Sequence, residues 1–319
     1  MEKVFDVVAL GELLIDFTPA GYSAANMRLF EQNPGGAPAN VLCTLSELGL
    51  RTSMIGKVGA DMHGAFLKDT LISKAVDTGG LIVDEEVFTT LAFVELGGDG
   101  QRSFSFARKP GADTCLRSSE LDRNLLESCK IFHFGSLSLT NEPSRTATKT
   151  AVQLAKQAGA IISYDPNYRE PLWESGEKAA AQMQSVLNMV DIIKISDEEM
   201  TLITGQNTAE AAADFLLDQG VSCVVITLGA DGSYAKTRAC AVQAPAFPAE
   251  AVDSTGAGDA FWGSFLYGMI DGKHRAASIA EQELFAMLRF SNAAASLCVR
   301  KYGAIPSIPT MAEVRALLR

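Results

Sequence analysis

Short, wholly apolar runs alternate along the chain with stretches whose apolar residues recur every three or four positions. Val7-Val8-Ala9-Leu10 reads as a buried strand ending at Gly11. After Gly35-Gly36, the residues Val41, Leu45 and Leu48 fall on one helical face, and Gly49 ends that pattern. Ile131 to Phe134 and Ile161 to Tyr164 read as further strands. Between them Ala147, Ala151, Leu154, Ala155 and Ala158 mark one side of a helix. Asp191 to Ile195 and Cys223 to Ile226 continue the series, and Met311 to Leu318 predicts a terminal helix. Strands apolar on both faces and separated by helices predict an α/β fold, a mostly parallel sheet covered by helices on both faces.

One region breaks this rhythm. Thr89 to Leu96 is strand-like, Gly97-Gly98-Asp99-Gly100 reads as a turn, and Ser103-Phe104-Ser105-Phe106 alternates strictly. That is a β-hairpin signal. An isolated hairpin needs a second surface, and the non-helical stretch Asp16 to Pro34 is the partner it suggests. The expectation is a single domain over residues 1–319, with a small β-sheet lid formed by segments near 15–34 and 88–112.

Composition narrows the function classes. In 319 residues the chain carries 27 Lys and Arg against 38 Asp and Glu, a net charge of −11, with no basic cluster. An acidic surface of this kind argues against nucleic acid and anionic membrane as partners. It does not exclude a small anion held by local N–H groups. Cys43, Cys115, Cys129, Cys223, Cys240 and Cys298 form no C-x-x-C pair and sit mostly in apolar runs, so they read as buried thiols of a reducing compartment. The first residues lack the pattern of a secretory signal, and no run approaches the length of a membrane span, so a cytoplasmic location is expected.

Chemistry concentrates in three places. In Asp253-Ser254-Thr255-Gly256-Ala257-Gly258-Asp259 two glycines precede an apolar helical stretch. Glycines let successive N–H groups point one way at a helix N-terminus, which makes an anion hole. Asp259 falls in the first helical turn, where a carboxylate is stabilised and stays ionised near neutral pH. A base beside an anion hole is what phosphoryl transfer to a hydroxyl requires. From the pattern alone, a plain Gly-rich turn with Asp259 favouring the helix start reads equally well. Gly35-Gly36-Ala37-Pro38-Ala39-Asn40 also opens a helix, and by itself reads more simply as a tight turn. Tyr164-Asp165-Pro166-Asn167-Tyr168-Arg169 lies at a strand end, where open α/β sheets bind ligands. His133, inside an apolar strand, reads as a core histidine. There is no G-x-x-x-x-G-K-[ST] and no G-x-G-x-x-G after the first strand, so neither a P-loop nor a dinucleotide-binding enzyme is supported.

Together these motifs resemble the ribokinase-type (PfkB) carbohydrate kinases, from Gly11 to Pro309. The opening Gly11-Glu12-Leu13-Leu14-Ile15-Asp16 is similar to the family's sugar-binding start. Gly35 to Asn40 and Asp253 to Asp259 are similar to its two signatures, in the right order. Within the family, Ser163 to Arg169, Pro171-Leu172-Trp173 and Lys194 to Glu199 most resemble fructokinases. Two positions depart from the common pattern: Tyr168 stands where Leu is more frequent, and Ser196 where many members carry Asn.

The resemblance implies roles. Asp259 is the base, beside an anion hole of Gly256, Ala257 and Gly258. Asp16, Gly35, Gly36 and Asn40 hold sugar hydroxyls, Phe106 and Arg108 cover the sugar, and Arg169 lies near the transferring phosphate. Asn167, Lys194, Thr227, Gly229, Gly232 and Asn292 border ATP, and Glu199 orients Mg²⁺ through water. K⁺ is expected beside the anion hole, with Asp253 and Thr255 on one side and Cys298, Lys301, Gly303 and Ser307 on the other. The expected reaction is ATP-dependent phosphorylation of the terminal primary hydroxyl of a ketohexose, D-fructose to fructose 6-phosphate, with a homodimer through the lid. The alternatives are 2-keto-3-deoxygluconate kinase, aminoimidazole riboside kinase, and a sugar-sensing binding protein on an inactive kinase fold.

Overall fold

The protein, seen in a computed structural model that describes residues 3–96 and 102–319, is built around two sheets. The chain begins with β1 (Phe5–Leu10), β2 (Leu14–Tyr22) and β3 (Arg28–Gly35), then α1 (Ala37–Glu47), β4 (Thr52–Gly59), α2 (Met62–Ser73) and β5 (Asp77–Asp84). A hairpin of β6 (Leu91–Leu96) and β7 (Arg102–Ala107) precedes α3 (Arg123–Glu127), β8 (Cys129–Gly135), α4 (Ser144–Gln157), β9 (Ile161–Asp165) and α5 (Gly176–Gln184). Then come β10 (Ile192–Ser196), α6 (Asp197–Thr204), α7 (Ala209–Asp218), β11 (Cys223–Thr227), β12 (Ser233–Thr237) and β13 (Ala241–Ala244). The chain closes with α8 (Ala257–Asp271), α9 (Glu281–Cys298) and α10 (Met311–Leu317).

The large sheet has nine strands in the order β13-β12-β11-β10-β9-β8-β1-β4-β5. From β11 to β5 every pairing is parallel; β12 and β13 add an antiparallel edge. Alternate side chains of one strand enter opposite cores, which is why the strands read as unbroken apolar runs. In β1, Val8 and Leu10 pack with α4-side residues such as Ala151 and Val152, whereas Val7 and Ala9 pack with Leu42, Trp262 and Phe265. The helical stripe of α4 buries Ala147, Ala151 and Ala155, as its spacing predicts. The antiparallel edge is a feature the apolar pattern does not reveal. β12 alternates buried and half-buried residues and β13 exposed and buried ones, so their apolar content is diluted.

β2, β3, β6 and β7 form the second sheet, in the order β3-β2-β6-β7. The segment after Asp16 pairs with the hairpin as its sequence suggests: Asp16 stands opposite Ala92, and Ala92 opposite Phe106. The turn expected at Gly97 to Gly100 lies outside the described residues. All six cysteines are free thiols. Among the described residues no helix is long and apolar enough to cross a membrane.

Topology places the ligand site. The chain winds outward from β1 through β4 to β5, then returns on the other side of β1 with β8 and moves away through β9 to β11. A crevice opens at the carboxyl ends of strands where winding reverses. The pairings Gly135 with Asp165 and Ser196 with Thr227 align those ends along one edge, facing the small sheet.

Candidate active site

A cleft of about 990 Å³ runs along that edge. Its walls gather residues from distant parts of the sequence: Asp16, Gly36, Asn40 and Phe106 at one end, Asn167, Arg169, Lys194 and Glu199 in the middle, and Thr227, Gly229, Gly232 and Asn292 at the other. The turn Ser254 to Asp259 lines the cleft as well.

Gly256 caps α8 in the left-handed region, φ 78°, a conformation that favours glycine. A Cβ there would lie 2.6 Å from the Cβ of Ala304. The first bond into the helix runs from Ala260 N–H to Gly256 O at 2.8 Å, while Ala257 N–H turns to Ser254 O at 3.3 Å. Gly256, Gly258 and Asp259 of this turn line the cleft, and the helix dipole adds positive potential there.

Asp259 is buried, and the side-chain amide of Asn40 donates to its Oδ2 at 2.8 Å. This bond ties α1 to α8 and joins the two glycine-rich motifs in one site. Asn40 itself keeps a buried Oδ1 with no hydrogen-bond partner among the described residues. Burial pushes the Asp259 carboxyl up to about 6, against the Asn40 bond and the charges of Lys194 and Arg169, with the Asp165 charge adding to the rise. Desolvation thus outweighs the stabilisation that a helix start gives, and a group titrating near 6 remains mostly ionised at pH 7. Asp16 is raised likewise to about 6, by burial first, with Arg169 opposing.

The opposite end is walled by a glycine turn and an apolar loop. Gly232 has φ 96°, and a Cβ there would lie 2.1 Å from Ala244 O. Asn292 does not stand free: its amide donates to Ala244 O at 3.0 Å and Pro245 O at 3.2 Å, holding the loop that carries Phe247. Arg289 stacks over the Phe247 ring at 4.2 Å. Sequence reasoning did not single out this apolar wall of Ala246, Phe247 and Pro248, because an apolar loop carries no chemical signature.

Glu199 accepts from Tyr168 N–H at 2.6 Å and from Ser196 N–H at 2.8 Å, so it fastens the strand-end loop to α6. Asp197 and Glu198 line the cleft beside it. No three His, Cys, Asp or Glu residues converge on a metal position among the described residues. That donor set suits a magnesium ion that keeps its waters and is carried by substrate phosphates, rather than one caged by protein.

Behind the anion turn, Asp253 accepts from Thr255 N–H at 2.8 Å and Gly303 N–H at 3.0 Å. The Cys298 thiol contacts Ser307 Oγ at 2.8 Å and Thr255 O at 3.9 Å. Asp253, Thr255, Cys298, Gly303 and Ser307 thus meet in one place. Lys301 lies on the adjoining turn, but its ammonium faces Glu313 at 3.3 Å. As an outward cation it brings only its backbone to that neighbourhood.

Arg108 departs from expectation. It does not line the cleft; its guanidinium is engaged with Asp113 (2.6 and 2.9 Å), Leu137 O and Thr140 Oγ1. A buried acid claims the arginine, so it braces the base of the hairpin instead of covering the sugar. Glu12 is the residue missed. It lines the cleft, accepts from Ala37 N–H at 2.9 Å, and is pushed up to about 7 by burial. Its signal was present: a carboxylate immediately after a wholly apolar strand.

Comparison with known proteins agrees with this geometry. Residues 4–311 match the pfkB family carbohydrate kinases, and the chain belongs to that family. It is 43% identical over 318 residues to "Probable fructokinase-2" of Arabidopsis thaliana, covering 98% of this chain and 95% of that one. Among solved structures it is similar to the fructokinase of Xylella fastidiosa with bound ATP, at TM-score 0.91 and 33% identity, covering 100% of this chain and 98% of that one. It is also similar to the Vibrio cholerae O395 fructokinase in its fructose-, ADP- and calcium-bound form, at TM-score 0.87 and 30% identity, over 99% of each chain.

Proposed function

We propose that the protein is a fructokinase, transferring the terminal phosphoryl group of ATP to the primary hydroxyl of D-fructose to give fructose 6-phosphate. The observation that supports this reading is the buried Asn40–Asp259 bond beside the glycine turn, in a cleft that also takes in Asp16, Gly36 of the other glycine-rich motif, and Gly229 and Gly232 from a further segment. Fructokinase relatives over nearly the full length support the choice of sugar.

Asp16, Gly35, Gly36 and Asn40 hold the sugar hydroxyls, with Phe106 above them. Asp259 accepts the proton of the attacking hydroxyl as the O–P bond forms. The transition state is loose and its charge lies on the transferring oxygens, so positioning and electrostatic stabilisation supply most of the acceleration. In this reading the N–H groups of Gly256 and Gly258 and the cations of Arg169 and Lys194 meet that charge, whereas Ala257 N–H is turned to Ser254 O. Thr227, Gly229, Gly232 and Asn292 border the nucleotide, with Asn167 near its phosphates. Glu199 would orient Mg²⁺ through water, and the ion would supply neutralisation of phosphate charge. K⁺ would sit among Asp253, Thr255, Cys298, Gly303 and Ser307, with carbonyl oxygens completing its shell, and order the anion turn. The chain acts as one domain, with the small sheet as a lid that excludes water. Its free thiols suit a reducing cytoplasm.

A coupled ADP-release assay at fixed MgATP tests the reading with fructose, glucose, ribose and 2-keto-3-deoxygluconate. Fructose is expected to show the highest kcat/KM, and K⁺ to raise the rate over a large organic cation. Turnover of ketodeoxygluconate at least about tenfold better than fructose, a difference of about 1.4 kcal/mol in transition-state binding, would replace the substrate.

A further inference from the structure

Beneath the anion turn lies a buried acid for which the transfer step above has no use. Asp165 ends β9 and does not line the cleft. Its Oδ2 accepts from Lys194 Nζ at 2.8 Å, and its Oδ1 is buried with no hydrogen-bond partner among the described residues. The side chains of Lys194 and Asp165 are 7% and 2% exposed. Strand register makes the contact unavoidable: Ile193 of β10 pairs with Tyr164 of β9, so the next residues, Lys194 and Asp165, stand together. The ammonium also lies against the first turn of α8, since a Cβ on Gly258 would be 3.2 Å from Nζ.

A buried pair of this kind is seldom a source of net stability, because two charges lose their water. It makes sense as a device that keeps one cation in one place. Burial disfavours the Lys194 ammonium; Asp165 first, then Glu199, outweigh it and hold the ammonium above its usual range, with Asp259 contributing. Those other carboxylates are the places to which an unheld ammonium would turn. Pairing with Asp259 would engage the base before a hydroxyl reached it.

We propose that Asp165 is a positioning residue for the transfer step: it holds the Lys194 ammonium under the Gly256 to Gly258 turn, facing the transferring phosphoryl oxygens and away from Asp259. The inference rests on the kinase reading above. Asp259 is faced by Asn40 from α1, Asp16 from β2, Arg169 from the loop after β9, Lys194 from β10, and Cys298 from α9. Asp165 is thus one of several charges that reach it. Its own charge pushes the Asp259 carboxyl upward.

The test is a double-mutant cycle with Asp165→Asn, Lys194→Met and the pair combined. It reads kcat, KM for fructose and for MgATP, the pH dependence of kcat/KM, and the thermal midpoint. Asp165→Asn is expected to lower kcat by about tenfold or more, while the fructose KM moves less than about threefold. Its acid limb should move to lower pH, because a negative neighbour of the base is gone. Asp165→Glu should recover part of the rate. If Asp165 acts through Lys194, removing it in the Lys194→Met background should cost less than about twofold more. A purely structural acid predicts a lowered midpoint and additive effects, whereas the pH limb moves in either case because the lost charge acts on Asp259 directly. Additive losses, or an Asp165→Asn enzyme keeping above about a third of wild-type kcat, would overturn the proposal. Should Asp165→Asn fail to fold, Asp165→Ser supplies the acid-side corner of the cycle, and the combined variant has no lone buried charge. Calorimetric titration with MgATP repeats the cycle without a sugar. A wild-type chain inactive on fructose would therefore overturn the substrate reading, while the MgATP cycle still decides the role of Asp165.

Discussion

At Asp259 two opposing effects can be weighed. A helix N-terminus favours the carboxylate by a few tenths of a kcal/mol to about 2 kcal/mol. Burial opposes it, and burial prevails, because the carboxyl is raised to about 6. A base at that value is mostly ionised at pH 7 yet basic enough to take a proton in the transition state. The free enzyme should therefore lose kcat/KM as pH falls through about 6, since protonation removes the acceptor. A pH profile of kcat/KM for fructose measures this directly, and a limb below about 4.5 would mean that burial does not raise the group. Asp16 is raised to a similar value, and in the proposed role its protonation would change the profile in the same sense. Residue identity was readable where a motif names it, as for Asp259, Asn40 and Gly256. It was not readable where partners decide. The sequence shows Arg108 beside a strand, but only the fold shows Asp113 holding it.

At the scale of elements, the glycine-capped start of α8 carries the most constraint. Gly256 combines φ 78° with close approach to Ala304, so it is held by both its own backbone and a second loop. Gly256→Ala should cost roughly 1–3 kcal/mol of stability from the left-handed conformation and the contact together. It should also lower kcat more than it raises the fructose KM, because the anion turn moves while the sugar end stays. Thermal melts and steady-state kinetics on one preparation check this, and a variant with unchanged kcat would separate the turn from catalysis. Elements with strong periodicity were legible in advance: β1, α1, α4, and the pairing of the 16–34 segment with the hairpin. β12 and β13 were not, since short half-buried edge strands lack an unbroken apolar run. The apolar wall at Phe247 was hidden for the opposite reason, its loop resembling any other apolar segment.

For the molecule as a whole, the small sheet presents an apolar outer surface as well as a site-facing one. Phe30 and Phe93 are each 38% exposed, Met62 is 73% exposed, and Phe66 of α2 and Phe88 add to the same side. Phe17 stacks on Phe93 at 5.2 Å and meets His63 edge-on at 5.7 Å, so the sheet and the start of α2 form one surface. Exposed apolar area of this kind marks an interface, and a homodimer through the lid is the occupant we propose. Sedimentation should show a dimer that Phe93→Glu with Met62→Glu converts to monomer; a wild-type monomer at micromolar concentration would remove that arrangement. The lid, the large sheet and the two glycine turns all converge on the bond between Asn40 and Asp259. The most direct measurement is thus the fructose-dependent kcat of Asp259→Asn together with its thermal midpoint. Losing the base while keeping size and a hydrogen-bonding group should lower kcat by about 10² to 10⁴, roughly 3 to 5.5 kcal/mol, in a protein that remains folded. A folded Asp259→Asn enzyme retaining above about a tenth of wild-type kcat would contradict the account.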